Sequence, residues 1–161
     1  AGVLSAREII SGAKRIESAV YAGGEDGDMN VSLGATWSSE GPEMMFVRQM
    51  TFVAARAAGI QYPLDGVFSN VRDPEGFRRD TQLSKRLGFR GRTVIHPKQI
   101  APVKQAYAVP AEQVAYYNKV VTEFDAALKT GAAAIVIEGK LVDYAMYQRA
   151  KRVLAVAALD K

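Results

Sequence analysis

The chain has no cysteine and only one histidine among its 161 residues. The missing cysteines exclude disulfide bonds and thiolate metal sites, and they favour a cytoplasmic protein. No apolar run approaches the roughly 20 residues that a membrane-spanning helix needs. The glycine spacings of dinucleotide-binding and P-loop proteins are also missing. These absences disfavour a membrane partner, a disulfide-stabilised domain and a protein that binds nucleotides through such a loop.

The amino-acid composition is ordinary for one globular domain, with 48% hydrophobic and 24% charged residues. The formal net charge is +4, and basic residues are densest between positions 72 and 92. This group can be a solvated face or an anion-binding surface. A phosphorylated small molecule fits it better than nucleic acid, because the chain matches no nucleic-acid recognition motif. The group consists of Arg72, Arg78, Arg79, Lys85, Arg86, Arg90 and Arg92.

Helix and strand patterns alternate along the chain. Helix signals predict five helices: residues 6–14, opened by a Ser5–Glu8 capping box; 42–59; 74–88, capped by Asp73; one starting at Glu112; and one starting near Asp143. Short apolar runs predict strands at 17–22, 63–68 and 92–95, and a further apolar strand region at 132–142 with a Glu138-Gly139 turn. This alternation predicts an α/β fold with a parallel sheet. A flavodoxin-like open sheet suits the length, whereas a complete (β/α)8 barrel needs about 250 residues.

The helix that starts at Glu112 carries an apolar stripe typical of a core or a subunit contact. The stripe consists of Val114, Tyr117, Val121, Phe124 and Leu128.

The acidic stretch from Tyr21 to Asn30 can be a solvated turn or a cation site. Its Asp-x-Asp-x-Asn pattern begins like a calcium-binding EF-hand loop. Counted from Asp26, however, the required glycine and glutamate places hold Val31 and Trp37, so that interpretation fails. Glu25 and Asp26 instead follow a predicted strand, and α/β folds bind ligands at strand ends. One or two carboxylates at such a place can hold Mg²⁺.

Four segments together resemble the HpcH/HpaI aldolase and citrate lyase β-subunit family, in particular its CitE-like and malyl-CoA or citramalyl-CoA lyase members. They are "GGED" at 23–26, residues 54–77, "GFRGRTVIHPKQI" at 88–100 and "EGKLVDYAMYQRA" at 138–150. The resemblance implies a (β/α)8 barrel that assembles as a homotrimer or larger homo-oligomer. Residues 1–161 are then expected to be one domain, the C-terminal half of such a barrel with its helical and hairpin extension.

The resemblance also implies roles for individual residues. Asp26 matches a metal-binding aspartate, with Glu25 or Asp28 as alternatives for the carboxylate that faces the ion. A second metal ligand, a glutamate, is expected just before residue 1, because Ala1-Gly2-Val3 resembles the end of the segment that carries it. The implied ion is Mg²⁺, with Mn²⁺ as a substitute.

Two further positions are implied outside the acidic stretch. His96 and Pro97 are expected to shape the loop that receives the coenzyme A end of the substrate, although a lone histidine before proline can also be a structural anchor. Asp143 is implied to be the catalytic base, delivered from a neighbouring subunit, while its position at a helix start equally suits an N-cap.

The implied function is Mg²⁺-dependent carbon–carbon cleavage of a 3-hydroxyacyl-CoA of the citryl-, malyl- or citramalyl-CoA type. The products are an acyl-CoA and a 2-oxoacid, and neither nucleic acid nor a membrane takes part. The alternative is a non-catalytic α/β module that binds CoA esters or nucleotides.

Overall fold

The computed structural model of the protein describes residues 2–158, which form two compact units that divide between Tyr107 and Ala108. Ala1, the first residue of the Ala1-Gly2-Val3 segment, lies outside the described residues. The second unit holds the hairpin and helices expected of the C-terminal extension. The assignment of residues 1–161 to a single domain stays a prediction. No helix within the described range is long and apolar enough to cross a membrane.

The first unit is mainly helical. Its helices are α1 (Ala6–Ser11), α2 (Asp28–Leu33), α3 (Met45–Ala57), α4 (Pro74–Leu87) and α5 (Ile100–Tyr107). Short 3₁₀ turns at Pro42–Met44 and Pro97–Gln99 lead into α3 and α5. Asp73 caps α4 as predicted, because its Oδ1 accepts a hydrogen bond from Gly76 N at 2.8 Å. Gly88, with φ of 106°, ends that helix in the left-handed conformation that favours glycine.

The predicted capping box at the start of the chain is wrong. Ser5 has φ −104° and ψ 16°, and its side chain makes no capping hydrogen bond. An N-cap residue needs an extended backbone to bring its hydroxyl back to the helix, and Ser5 lacks that conformation. Helix α1 begins at Ala6 as predicted but ends at Ser11, three residues before the predicted boundary.

The three predicted strands of the first unit are wrong as regular strands. The described residues contain a single parallel bridge there, between Asp65 and Arg92. The segments nevertheless run side by side in one direction. Ser18 Oγ donates to Tyr62 O at 3.4 Å, and further along a Cβ atom added to Gly66 would lie 2.7 Å from Tyr21 O, so these two segments advance in the same direction. Asp65 N donates to Gly91 O at 2.9 Å, beside the parallel bridge. Pro63 has no N–H to give, which helps to keep the ladder from extending.

Helix α3 buries a different face from the one that its large apolar residues suggest. Phe46 and Val53 are 66% and 59% exposed. Its buried residues are Val47, Arg48, Thr51, Ala54 and Ala55. Ala55 packs in one small core with Ile10 of α1 and Ile60, so α1 and α3 are held together by apolar contacts.

The second unit is an antiparallel hairpin packed with two helices. Its elements are α6 (Ala111–Lys129), β1 (Ala134–Ile137), β2 (Lys140–Asp143) and α7 (Tyr144–Ala157). The predicted turn is confirmed, since Glu138 and Gly139 have φ of 52° and 75°, as a tight two-residue hairpin requires. The regular sheet found within residues 2–158 is this antiparallel pair, and the predicted parallel sheet is represented there only by the bridge between Asp65 and Arg92.

The core of the second unit centres on Phe124 of α6. Its ring stacks on Tyr147 of α7 with centroids 4.9 Å apart, and Ile137 and Val142 of the hairpin complete the cluster. Leu128, predicted on the buried stripe of this helix, is 42% exposed. It lies one turn beyond Phe124, and the helix ends at Lys129, so the core does not reach it.

Candidate functional site

The candidate metal ligands lie on a tight loop, residues 23–27, which we call the acidic loop. Gly27 N donates to Gly24 O at 2.9 Å, and Met29 N, in the first turn of α2, donates to Ala22 O at 3.2 Å, so the two ends of the loop are held together. Asp26 sits in the left-handed region with φ of 55°, a conformation that aspartate adopts more readily than most residues.

Both loop carboxylates are available to a ligand. Glu25 and Asp26 are exposed, and neither side chain makes a hydrogen bond or an ion pair to any residue that the structure describes. Asp28 is exposed in the first turn of α2. The loop therefore presents unpaired hard-oxygen donors to solvent.

The acidic loop is pressed against the end of the segment 63–69. A Cβ atom added to Gly24 would lie 2.6 Å from Ser69 Oγ and 3.1 Å from Val67 Cγ2, so only glycine fits this approach. On the α2 side, the buried Asn30 donates from Nδ2 to Gly24 O at 2.6 Å. Asn30 Oδ1 and Ser69 Oγ are buried without a hydrogen-bond partner among the described atoms. The loop backbone is thus held from two sides.

The donor set suits one binding mode of Mg²⁺. Residues 2–158 contain no group of three or more histidines, cysteines, aspartates or glutamates that could enclose a metal ion. Mg²⁺, however, is commonly bound through one or two carboxylates while water and substrate oxygens fill the other positions. Glu25 and Asp26 fit that mode, and their oxygens do not favour zinc.

Beneath the loop lies a buried group of four charged residues, Arg48, Asp65, Asp80 and Arg92, which we call the charge cluster. Arg48 Nε lies 3.1 Å from both Asp65 oxygens, and its Nη2 also pairs with that carboxylate. Arg48 Nη1 donates to Asp80 Oδ1 at 2.7 Å, and Arg92 Nη1 donates to Asp80 Oδ2 at 2.8 Å. The two arginine charges are balanced by two aspartates.

The charge cluster is almost free of solvent. The side chains of Arg48 and Asp65 are 3% and 0% exposed, and those of Arg92 and Asp80 are 1% and 12% exposed. Burial opposes the charge on Arg48, but its hydrogen bond to Asp65 and the nearby carboxylates outweigh burial and raise its pKa. The Arg48 guanidinium therefore keeps its positive charge beside Asp65 and Asp80.

Sequence reasoning missed this cluster. Arg92 was predicted as part of a basic surface group, and that prediction is wrong for this residue because it is buried. One signal could have found the cluster. Asp65 interrupts an apolar run predicted to be a strand, and if such a strand is buried its carboxylate requires a cationic partner. Among the other basic residues, Arg78, Lys85 and Arg86 line a groove of about 660 Å³ between α4 and α5.

His96 has a structural role in the loop before α5. Its Nδ1 accepts a hydrogen bond from Lys98 N at 3.1 Å, which caps the 3₁₀ turn that begins at Pro97. A neutral imidazole whose Nδ1 accepts carries its proton on Nε2. Pro97 is exposed. The predicted anchoring role fits this geometry, and the predicted role in substrate binding stays a prediction.

Asp143 lies in the second unit, at the junction of β2 and α7. Its Oδ1 accepts a hydrogen bond from Met146 N at 2.8 Å, so the residue is the N-cap of α7. The side chain is exposed, and it stands opposite Ala134 in the hairpin register. Because the cap uses one carboxylate oxygen, the other is available for proton transfer.

Comparison with known proteins shows which family the chain belongs to. The sequence model of the family described as HpcH/HpaI aldolase/citrate lyase matches residues 1–97. The chain belongs to this family. It is 38% identical over 118 residues to the citrate lyase subunit beta of Leuconostoc mesenteroides subsp. cremoris, a match that covers 73% of this chain and 39% of that protein. It is 30% identical over 143 residues to the mitochondrial citramalyl-CoA lyase of Rattus norvegicus, covering 89% of this chain and 41% of that one.

A solved relative has a similar fold over nearly the whole chain. The crystal structure of CitE from Mycobacterium tuberculosis, in complex with magnesium, acetoacetate and coenzyme A, matches with a TM-score of 0.73 and 28% identity. The match covers 98% of this chain and 57% of that one. The chain thus spans roughly half the length of the family members that it resembles, and its fold is of the CitE type.

Proposed function

We propose that the protein is a Mg²⁺-dependent carbon–carbon lyase that acts on a 3-hydroxyacyl-CoA of the citryl-, malyl- or citramalyl-CoA type. It would release an acyl-CoA and a 2-oxoacid. The observation that carries the proposal is the pair of exposed, unpaired carboxylates on the acidic loop. They occur in a chain whose relative from M. tuberculosis was crystallised with magnesium, acetoacetate and coenzyme A. A cytoplasmic location is part of the same proposal.

The acidic loop would hold the ion. Asp26 is our first choice as ligand and Glu25 our second, because both present free carboxylate oxygens to solvent. Bound Mg²⁺, or Mn²⁺ in its place, would act as a Lewis acid toward the oxygens of the 2-oxoacid portion. The loop residues would fix the position of these oxygens relative to the protein.

Asp143 would act as the base that takes the hydroxyl proton when the carbon–carbon bond breaks. The hydrogen bond from Met146 N holds one carboxylate oxygen, which orients the other. We assign this residue to the site of a neighbouring subunit in a homotrimer or larger homo-oligomer, as the family resemblance implies.

His96 and Pro97 would border the coenzyme A end of the substrate. Because His96 Nδ1 already accepts the hydrogen bond of Lys98, the Nε2–H would be the group that meets a phosphate or amide oxygen. The rigid turn at Pro97 would fix the orientation of the ring.

We also propose that the first unit is part of a (β/α)8 barrel and not of an open flavodoxin-like sheet. The side-by-side, same-direction course of the segments near residues 18, 65 and 92 supports this architecture. An apolar groove of about 820 Å³ beside α1 to α3 gives further support, because further barrel strands and helices would cover it. Leu4, Ile9, Leu33 and Phe46 are among its exposed apolar residues.

Metal titration of Asp26→Asn in the intact protein tests the proposal. We expect the variant to bind Mg²⁺ at least about tenfold more weakly, a loss of about 1.4 kcal/mol, and to lose turnover while its fold is kept. The Mg²⁺ affinity of Asp28→Asn, measured in parallel, shows whether the ion is bound by the loop carboxylate or by the carboxylate in the first turn of α2. Glu17→Gln removes an exposed charge outside the loop and should bind Mg²⁺ as the wild type does.

Full activity of Asp26→Asn, or of the wild type in excess chelator, would mean that the loop carboxylates are only a solvated turn. Binding of CoA thioesters without any turnover by the intact wild-type protein would favour the non-catalytic CoA-ester module.

A further inference from the structure

The ring of Tyr21 lies between the acidic loop and the charge cluster. A Cβ atom added to Gly23 would fall 1.8 Å from Cε2 of this ring. On the other side, a Cβ on Gly66 would lie 3.2 Å from Cε1 and 2.7 Å from Tyr21 O. The ring is therefore packed against two glycine backbones, one in the loop and one in the segment 63–69, at distances that no larger residue would permit.

The charge cluster holds the Gly66 side of this contact. Gly66 N donates to Asp65 Oδ1 at 2.9 Å, and Arg92 Nη2 donates to Gly66 O at 2.8 Å. Both polar backbone groups of this glycine are thus bound by buried charged side chains, which are themselves tied to α3 and α4 through Arg48 and Asp80. Gly66 is a fixed support against which the ring of Tyr21 rests.

The phenol oxygen of Tyr21 plays little part in this contact. Burial raises the pKa of Tyr21 well above its ordinary value, so the hydroxyl stays neutral. The side chain lines a small cavity of about 20 Å³ together with Asp80 and Gly23, enough for about one water molecule. A single water there can satisfy the hydroxyl. The contact to the loop is made by carbon atoms of the ring.

We propose that Tyr21 is a positioning residue. Its ring packs between Gly66, which the charge cluster holds in place, and Gly23 of the acidic loop, and this contact sets the placement of Glu25 and Asp26. The part of this inference that concerns metal binding rests on the proposed function. The positioning of the loop backbone does not depend on the proposed function, and it can be measured on the metal-free protein.

Amide hydrogen exchange of the intact, metal-free protein tests the positioning itself. The reporters are the amides of Gly27 and Met29, whose hydrogen bonds close the loop. We expect Tyr21→Ala to speed their exchange at least about tenfold, while the amide of Ala58 at the end of α3 exchanges as in the wild type. Tyr21→Phe keeps the ring and is the matched control, with loop exchange within about twofold of the wild type.

Mg²⁺ titration of the same variants provides the second readout, with affinities measured where near-ultraviolet circular dichroism shows each variant folded. We expect at least a tenfold loss for Tyr21→Ala and less than a twofold loss for Tyr21→Phe. If Tyr21→Ala does not fold, Tyr21→Leu takes its place with the same direction expected. Unchanged loop exchange in the folded Ala or Leu variant overturns the inference. Faster loop exchange in a protein whose wild type does not bind Mg²⁺ supports the positioning role and overturns the proposed metal site.

Discussion

Replacing Arg48 by methionine would show how strongly the charge cluster stabilises the first unit. Methionine keeps an apolar stem in the same space but removes the guanidinium. Asp80 would retain Arg92 as its partner, whereas the fully buried Asp65 would retain only the hydrogen bond from Gly66 N. The variant therefore leaves one buried carboxylate without a compensating charge.

The expected loss follows from that geometry. Removing one partner of a buried ion pair typically costs about 3 to 5 kcal/mol of unfolding free energy, because the remaining charge is desolvated without compensation. The complete burial of Asp65 places Arg48→Met in this range. For a domain of this size the loss corresponds to a fall of roughly 10 °C in Tm. Arg48→Met combined with Asp65→Asn removes the unpaired charge and should recover a large part of the loss.

The chain offers a matched control in Arg78→Met. Arg78 pairs with Glu75 on the surface of α4, where the two side chains are 52% and 66% exposed. An exposed pair of this kind contributes at most about 1 kcal/mol, so the same chemical change should cost little.

Urea unfolding would be followed by the fluorescence of Trp37, the single tryptophan of the chain, whose ring packs edge-on against Phe68 in the first unit. Equal losses for Arg48→Met and Arg78→Met would refute the reasoning.

Two further outcomes are expected. Asp143→Asn should abolish cleavage with little change in Mg²⁺ affinity or stability, because the amide oxygen can still cap α7. Oligomers that mix Asp143→Asn subunits with Asp26→Asn subunits should regain some activity. A wild-type cleavage rate in Asp143→Asn would contradict the catalytic role of Asp143. Burial raises the pKa of Tyr107 from 10.0 to about 12, so the unfolded state loses this proton first and stability falls between about pH 10 and pH 12. Tyr107→Phe should lessen that fall in alkaline unfolding curves, and an unchanged slope would contradict it.

Local signals in the sequence were sufficient where one residue type decides the outcome. The cap at Asp73, the helix end at Gly88 and the turn at Glu138-Gly139 depend on short-range stereochemistry, and all three form as predicted. The same reasoning failed at Ser5, because a capping-box pattern does not fix the backbone angles that the cap requires.

Long-range partners were harder to predict. The strands of the first unit depend on neighbours that no local pattern specifies, so apolar runs indicated extended backbone but not regular ladders. The same limit applies to the site. The acidic loop could be located from its carboxylates and glycines, whereas the support beneath it depends on Arg48, Asp80 and Arg92, which are far apart in the chain.

The balance of charges in the cluster has a consequence for the evolution of the family. A single replacement at any of its four positions would leave a buried charge unmatched, so most one-step changes would pass through a less stable intermediate. Descendants that lose Arg48 should therefore also have changed Asp65, and those that lose Arg92 should have changed Asp80. In an alignment of close relatives, Arg48 and Asp65 would therefore be kept or replaced together, and so would Arg92 and Asp80.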